Sequence, residues 1–191
     1  MEIRTRDVTA ALWPDVESLF GARGACGGCW CWYWRLAKGE SWDAVKGEPA
    51  RRRLRRGIAN GAVMGVLAYA DAEPVGWCTY GPRPSFARLD RAPSLRCPDA
   101  DAVWSVPCFF VRRDHRGRGV ATALLAAAVA AIRARGGRIV EGYPVKPART
   151  GRHADAFAWT GTRAQFERAG FVLAGNPDGG KQRYRLRLAG E

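Results

Sequence analysis

Hydrophobic positions along this chain follow two periods. From Ala62 to Tyr69 and from Pro74 to Tyr80, apolar residues fill strand-length blocks either side of the polar turn Asp71-Ala72-Glu73, which predicts a β-hairpin. Val103 to Val111 is a third, strongly apolar strand. Pro107 inside it cannot donate to a ladder, so a bulge or a local break in pairing is expected there. At Val120 the period changes. Leu124, Ala128 and Ile132 recur every fourth residue with Leu125 and Val129 alongside, which predicts a helix to Arg135 ended by Gly136-Gly137. A strand from Arg138 to Val145 follows, then a short helix over Thr162 to Ala169 closed by Gly170. Phe171 to Ala174 and Lys181 to Leu188 form a last hairpin around Asn176-Pro177-Asp178-Gly179-Gly180. In its second strand Tyr184, Leu186 and Leu188 alternate with Arg183, Arg185 and Arg187, the period of a half-buried strand. Upstream, one helix lies within Asp7 to Phe20, opened by Pro14. Another runs from Pro49 through Arg51, Leu54 and Ile58 to Asn60-Gly61. Helices, hairpin, strand, helix, strand, helix, hairpin is the order of a mixed α/β sheet.

At 191 residues, one domain spanning 1–191 is expected, with enough chain for a substantial core. No stretch is apolar for long enough to span a bilayer, and the segment Met1 to Asp7 lacks a signal-peptide core. A cytoplasmic protein without a membrane partner is expected. The six cysteines are then expected to be reduced rather than a disulfide framework. The formal charge is +13, but of 31 basic residues only Lys38, Lys46, Lys146 and Lys181 are lysines. With abundant Ala and Gly, this composition points to a GC-rich genome more than to a nucleic-acid partner. The Arg51-Arg52-Arg53-Leu54-Arg55-Arg56 run reads as a solvated helix face. The positive field would still draw in a polyanion.

The informative segment is Phe109-Phe110-Val111-Arg112-Arg113-Asp114-His115-Arg116-Gly117-Arg118-Gly119-Val120-Ala121-Thr122. A buried strand enters a turn of small and basic residues and a helix starts at once. The first N–H groups of a helix have no internal partner and the dipole there favours negative charge, so main chain alone makes an anion site. Gly117 and Gly119 let the backbone approach phosphate oxygens, and Arg116 and Arg118 add charge. His115 is expected to face solvent.

This segment resembles the acetyl-CoA motif of the GNAT superfamily of N-acetyltransferases, in which Arg or Gln is followed three residues later by Gly and five later by Gly or Ala: here Arg116, Gly119 and Ala121. Val75-Gly76-Trp77 looks like part of that family's second and third strands, and Phe166-Glu167-Arg168-Ala169-Gly170-Phe171 like its last helix. The resemblance implies a GNAT fold of α/β (α+β) type, a mixed, mostly antiparallel central sheet with splayed strands flanked by helices. It implies acetyl-CoA as acyl donor, its pantetheine arm along Phe109, Phe110 and Val111 and its pyrophosphate on Arg116, Gly117, Arg118, Gly119, Val120, Ala121 and Thr122. Direct attack by an amine on the thioester is the implied reaction. A backbone N–H near Cys108 or Phe109 would serve as oxyanion donor.

Acid and base are less defined. Many family members carry a general-acid Tyr where this chain has Phe166. Glu141 and Tyr143 share one face of their strand. Glu141 is a candidate base and Tyr143 a candidate acid; the alternative is that Glu141 pairs with an Arg and Tyr143 packs. The segment Cys26-Gly27-Gly28-Cys29-Trp30-Cys31-Trp32-Tyr33-Trp34-Arg35 lacks a paired downstream ligand set for zinc, so no metal is expected. Core packing and an acceptor pocket both remain open for it. In the second case Trp30, Trp32, Tyr33 and Arg35 would cage a cationic or planar substrate. The loop Lys146 to Gly161, with Arg149, Arg152, His153, Asp155 and Trp159, is a second candidate wall. A small-molecule amine is the expected acceptor, with protein amines, nucleic-acid binding and acyl-CoA sensing as alternatives, for a monomer or homodimer.

Overall fold

The computed structural model describes residues 2–145, 159–176 and 181–189. Strand β1 (Ile3–Asp7) leads to helix α1 (Trp13–Phe20), a single turn α2 (Trp42–Val45) and helix α3 (Glu48–Ala59). Strands β2 (Met64–Ala70), β3 (Glu73–Pro82) and β4 (Val103–Val111) follow, then helix α4 (Val120–Ala134) and strand β5 (Ile139–Gly142). The chain closes with helix α5 (Arg163–Arg168) and strands β6 (Val172–Leu173) and β7 (Tyr184–Arg187). Pro14 lies in the first turn of α1 with Asp15 beside it, where a missing N–H and a negative charge are both tolerated. In α3 the buried positions Ala50, Leu54 and Ile58 repeat every fourth residue. The β2–β3 turn is Asp71-Ala72, both at positive φ (48° and 71°), as a two-residue hairpin matched to strand twist requires.

The sheet has seven strands in the order β1-β2-β3-β4-β5-β7-β6. Every neighbouring pair is antiparallel except β4–β5, which α4 connects as a parallel crossover. That parallel pairing covers only Val103–Val106 against Ile139–Gly142, after which the strands separate. The β3–β4 register shifts between Thr79 and Gly81, opposite Cys108 and Ser105, so Pro107 sits in a bulge where its missing N–H costs no ladder bond. This is the break that the proline predicts.

Two cores flank the sheet. On one face Val66, Ala68, Val75, Val106 and Phe109 pack against Val120, Leu124, Ala128 and Ile132 of α4 and Phe166 of α5. On the other, Leu67, Trp77, Cys108 and Tyr143 pack against α1, α3 and the Cys-Trp segment, including Trp13, Phe20, Trp30 and Trp34.

Several boundaries differ from expectation. β1 was not foreseen: all five residues except Ile3 are exposed, so it shows no alternation and forms only by pairing with the β2 edge. Between β3 and β4, residues 83–102 form a chain of short 3-10 turns that buries Phe86, Leu89 and Leu95. β5 stops at Gly142, not Val145, with the Phe166 ring packed against the Gly142 Cα where any side chain would collide. Arg183 and Arg185 do not face solvent; both are largely buried at 12% exposure. Arg149, Arg152, His153 and Asp155 lie outside the described residues, as do 177–180 of the last turn. Among the described residues no helix is long and apolar enough to cross a membrane.

Candidate active site

A cleft of about 440 Å³ opens where β4 and β5 part. One end is the turn from β4 into α4. Gly117 and Gly119 have φ of 72° and 84°, left-handed values that a Cβ penalises, and Gly119 is the N-cap of α4. A Cβ built on Gly117 would meet no atom within 4 Å, so its main chain borders open space. The first intrahelical bond of α4 runs from the Ala123 N–H to the Gly119 carbonyl, and no side chain caps the helix start. The amides at its head are therefore free to hold an external anion. Arg116 donates from Nε to the Val111 carbonyl at 3.1 Å and so ties the turn to β4. His115 departs from expectation: its side chain is 14% exposed, packs against Asp114 and lines the cleft mouth.

The side wall is β4. The Arg112 N–H donates to the Val75 carbonyl of β3. Alternate amides of an antiparallel strand point to opposite neighbours. Phe110 and Cys108 therefore direct their N–H groups at β3, while Phe109 and Val111 direct theirs at the side that β5 has vacated. Phe109, Phe110, Val111, Gly117, Gly119, Val120, Ala121 and Thr122 line the cleft with Trp159, Thr162, Gln165 and Arg168. Sequence reasoning missed the last three. Gln165 is held by a bond from Nε2 to the Ala121 carbonyl at 2.9 Å, and it reaches the cleft because Thr162 caps α5 beside the open end of β5. No local pattern announces such a convergence.

The candidate base and acid are not on the cleft wall. Glu141 is fully buried, and its Oε2 accepts from Arg185 Nε at 2.7 Å and Arg183 Nη1 at 3.0 Å; Arg83 Nε lies 3.5 Å from Oε1. Arg185 also grips Asp99 with two bonds, at 2.7 and 2.8 Å, and holds that carboxyl well below its usual range. The Tyr143 hydroxyl sits 2.6 Å from Ser105 Oγ, and burial, then the Glu141 charge, push its pKa well up. A carboxylate with three arginines on it and a hydroxyl sealed against Ser105 are placed to hold β5, β7 and the 83–99 loop together. These contacts are those of the pairing alternative for Glu141 and of packing for Tyr143. Phe166, where the family often has an acid, is fully buried between Phe109 and Phe171.

The Cys-Trp segment divides. Trp30 is core: it is 6% exposed, stacks on Trp13 at 6.1 Å and touches Phe20, so it does not belong to a pocket. Trp30 and Cys31 adopt positive φ (43° and 52°), uncommon for such side chains, and this turn brings Cys31 Sγ to 2.9 Å from Cys108 Sγ. Tyr33 and Trp34 pack against Trp159 at 5.4 Å each and so back the cleft. Their outer faces are already taken by the chain's own cations. Arg88 lies 4.1 Å from the Tyr33 ring centre, Lys181 5.5 Å from Trp34 and Arg53 6.0 Å from Trp32. Among the described residues no group of three or more potential ligands is placed to hold a metal. Within the basic run of α3, Arg51 pairs with Glu17 and Glu48, Arg53 pairs with Glu40, and Arg55 lies over Trp13.

An open sheet with one parted parallel pair, strand amides aimed into the parting and an uncapped helix N-terminus at its end defines an acyltransferase built for a polyphosphate-tailed thioester. The family model for the Acetyltransferase (GNAT) family matches residues 30–152, more than half of the chain, and the chain belongs to that family. Acetyl-CoA is the donor of this family, and the cradle, the parted strands and the free amides fit it. Solved structures share the fold at low identity. PaiA N-acetyltransferase from Thermoplasma acidophilum, in complex with coenzyme A, superposes with a TM-score of 0.57 at 13% identity, over 98% of this chain and 100% of that one. The GNAT domain of S. lividans PAT gives 0.58 at 20%, over 97% and 90%. A ribosomal-protein-alanine N-acetyltransferase from Brucella melitensis gives 0.57 at 15%, over 97% and 99%. No curated protein matches the chain.

Proposed function

We propose that this protein, acting as a single cytoplasmic domain over 1–191, moves an acetyl group from acetyl-CoA to the primary amine of a small molecule by direct attack in a ternary complex. The observation that carries the reading is the uncapped head of α4 beside a strand whose Phe109 and Val111 amides face open space. The amides from Gly117 to Thr122 hold the pyrophosphate, with Arg168 and Arg118 adding charge. Phe109 to Val111 align the pantetheine arm as an added strand would. The Phe109 N–H is then placed to donate to the thioester oxygen as negative charge develops on it. Attack forms the amide C–N bond, breaks the C–S bond and releases CoA thiolate.

Among the described cleft residues there is no carboxylate. His115 does line the cleft, so the acceptor ammonium gives its proton to water or to that imidazole, and rate comes chiefly from proximity and the oxyanion donor. A small acceptor is favoured over a protein amine because Trp159, backed by Tyr33 and Trp34, adds an aromatic wall to the cleft. Differential scanning fluorimetry tests the donor site. Acetyl-CoA at about 100 times its Kd should add roughly 2.7 kcal/mol of stability, and no shift at millimolar acetyl-CoA would refute the cradle. Thiol release with amine and peptide panels then separates a small acceptor from a protein one.

A further inference from the structure

The arginines of the second core differ in one respect. Arg83, Arg183 and Arg185 each lie on a carboxylate. Arg35 does not. Its only hydrogen bond among the described residues is a long one, 3.3 Å from Nη2 to Thr79 Oγ1, and its Nε is buried with no partner at all. The guanidinium is stacked on Phe86, 4.3 Å from the ring centre, so its plane is fixed while its edge stays free. The residue as a whole is partly buried while Nε is sealed, so the Nη end is the part of the guanidinium that a small molecule would meet.

Its position is specific. Thr79 is the register partner of Cys108, the residue before Phe109. Tyr33 and Trp34, the two residues before Arg35, pack on Trp159 of the cleft wall. The neighbouring orphan groups are donors as well: the indole N–H groups of Trp32 and Trp34 are buried without partners. Arg88 and Lys181 cover Tyr33 and Trp34 with no carboxylate of their own among the described residues. Donors and cations without acceptors, beside a site for an amine, call for an oxyanion from outside. Burial pushes Arg35 down to about 10, with Cys31 and Cys108 beside it acting the other way, so it stays charged at neutral pH with no carboxylate among the described residues to offset its desolvation.

We infer that the acceptor amine carries a carboxylate and that Arg35 receives it, using the free edge of its guanidinium as a fork for the two oxygens. A single fork on a fixed plane suits a carboxylate, and the class of acceptor is an amino acid or an amino-acid-like amine. This inference rests on the proposed acetyl transfer. If Arg35 were structural, its removal would destabilise the protein. If it is a recognition group, its removal does not, because the unpaired charge costs more than the stack on Phe86 and the long bond to Thr79 return.

The test compares amino acids with their matched carboxamides as acceptors, in the wild-type protein and in Arg35→Met and Arg35→Lys, with acetyl-CoA binding followed separately by thermal shift. The wild type should acetylate acids of the set with kcat/KM on the order of 100-fold above the matched amides, the scale of a buried charge-assisted contact. Arg35→Met should raise KM for the acids by a similar factor, remove the preference, keep the acetyl-CoA shift and melt no lower than wild type. Arg35→Lys, which keeps the charge without the fork, should fall between them. The inference is overturned if amides are acetylated as well as acids, if Arg35→Met retains the preference, or if Arg35→Met binds acetyl-CoA normally but melts well below wild type. Failure of the parent reading looks different: no acetyl-CoA shift, or no acetylation of acids and amides alike.

Discussion

The two ends of the cleft are made of different material. The donor end is main chain: two glycines with left-handed φ, an uncapped helix head and strand amides left over where β5 departs. The proposed acceptor end is side chain: Trp159 on the cleft wall, Tyr33 and Trp34 packed behind it, and Arg35, Arg88 and Lys181 around those two, from four separate stretches of sequence. Main-chain sites tolerate many side chains and recognise something constant, here a pyrophosphate and an amide-bearing arm. Side-chain sites can differ from one member to the next, and this end is where an acceptor is chosen. The contrast predicts that substitutions at the donor end remove all activity, whereas those at the acceptor end redistribute it.

The largest effect is expected at Gly119. Gly119→Val forces a β-branched residue to φ near 84° at the helix start, so acetyl-CoA should no longer shift the melting temperature. A Cβ there meets no atom nearer than Ile3 Cδ1 at 4.0 Å, so any loss of folding stability comes from backbone strain alone, and denaturant unfolding without ligand reads it separately from binding. Wild-type-like affinity measured by calorimetry would break the comparison. Next comes Glu141→Gln, which leaves Arg83, Arg183 and Arg185 around a neutral group. A loss of about 3–5 kcal/mol in denaturant unfolding is expected. A normal melting temperature with a shifted pH–rate profile would instead restore the base role.

A smaller effect concerns alkali. Burial holds Cys78 far above its ordinary pKa, and Cys108 is raised first by the Cys31 thiol and then by burial. Thiols raised in the fold contribute stability that is intact below their unfolded pKa, about 8.5, and is lost as pH rises past it, at up to about 1.4 kcal/mol per thiol per pH unit. Melting temperatures should therefore fall between pH 8.5 and 10, and Cys78→Ala with Cys108→Ala should flatten that slope. Least affected should be Tyr143→Phe. It removes the hydroxyl's bond to Ser105 Oγ and its contact with Glu141, each worth about 1 kcal/mol, and should lower kcat no more than a few-fold.

How far the fold was legible follows the same divide. Val120 to Ala134 and the Asp71-Ala72 turn announce themselves through local period and turn chemistry, and Pro107 marks its own bulge. The GNAT resemblance around Arg116, Gly119 and Ala121 located the donor end because that site is contiguous in sequence. β1 was illegible because an exposed edge strand carries no alternation. The burial of Arg183 and Arg185 was illegible too. Their alternation with Tyr184 and Leu186 reads as an exposed face, and only the Glu141 carboxylate, 44 residues from Arg185, turns that face into an interior. Trp30 and Tyr33 lie in one aromatic run, yet one is core and the other backs a cleft. The left-handed turn at Trp30-Cys31 that separates them has no glycine to signal it.

The short β4–β5 contact has a mechanical consequence. Among the described residues, four register pairs make the β-ladder between the leaf formed by β1 to β4 and the leaf formed by β5, β7 and β6. A long thin molecule lying along Phe109 to Val111 would supply the rungs that this ladder lacks. The occupied protein should then behave as one continuous plate, and the two leaves should exchange their amide hydrogens at similar rates only while it is in place.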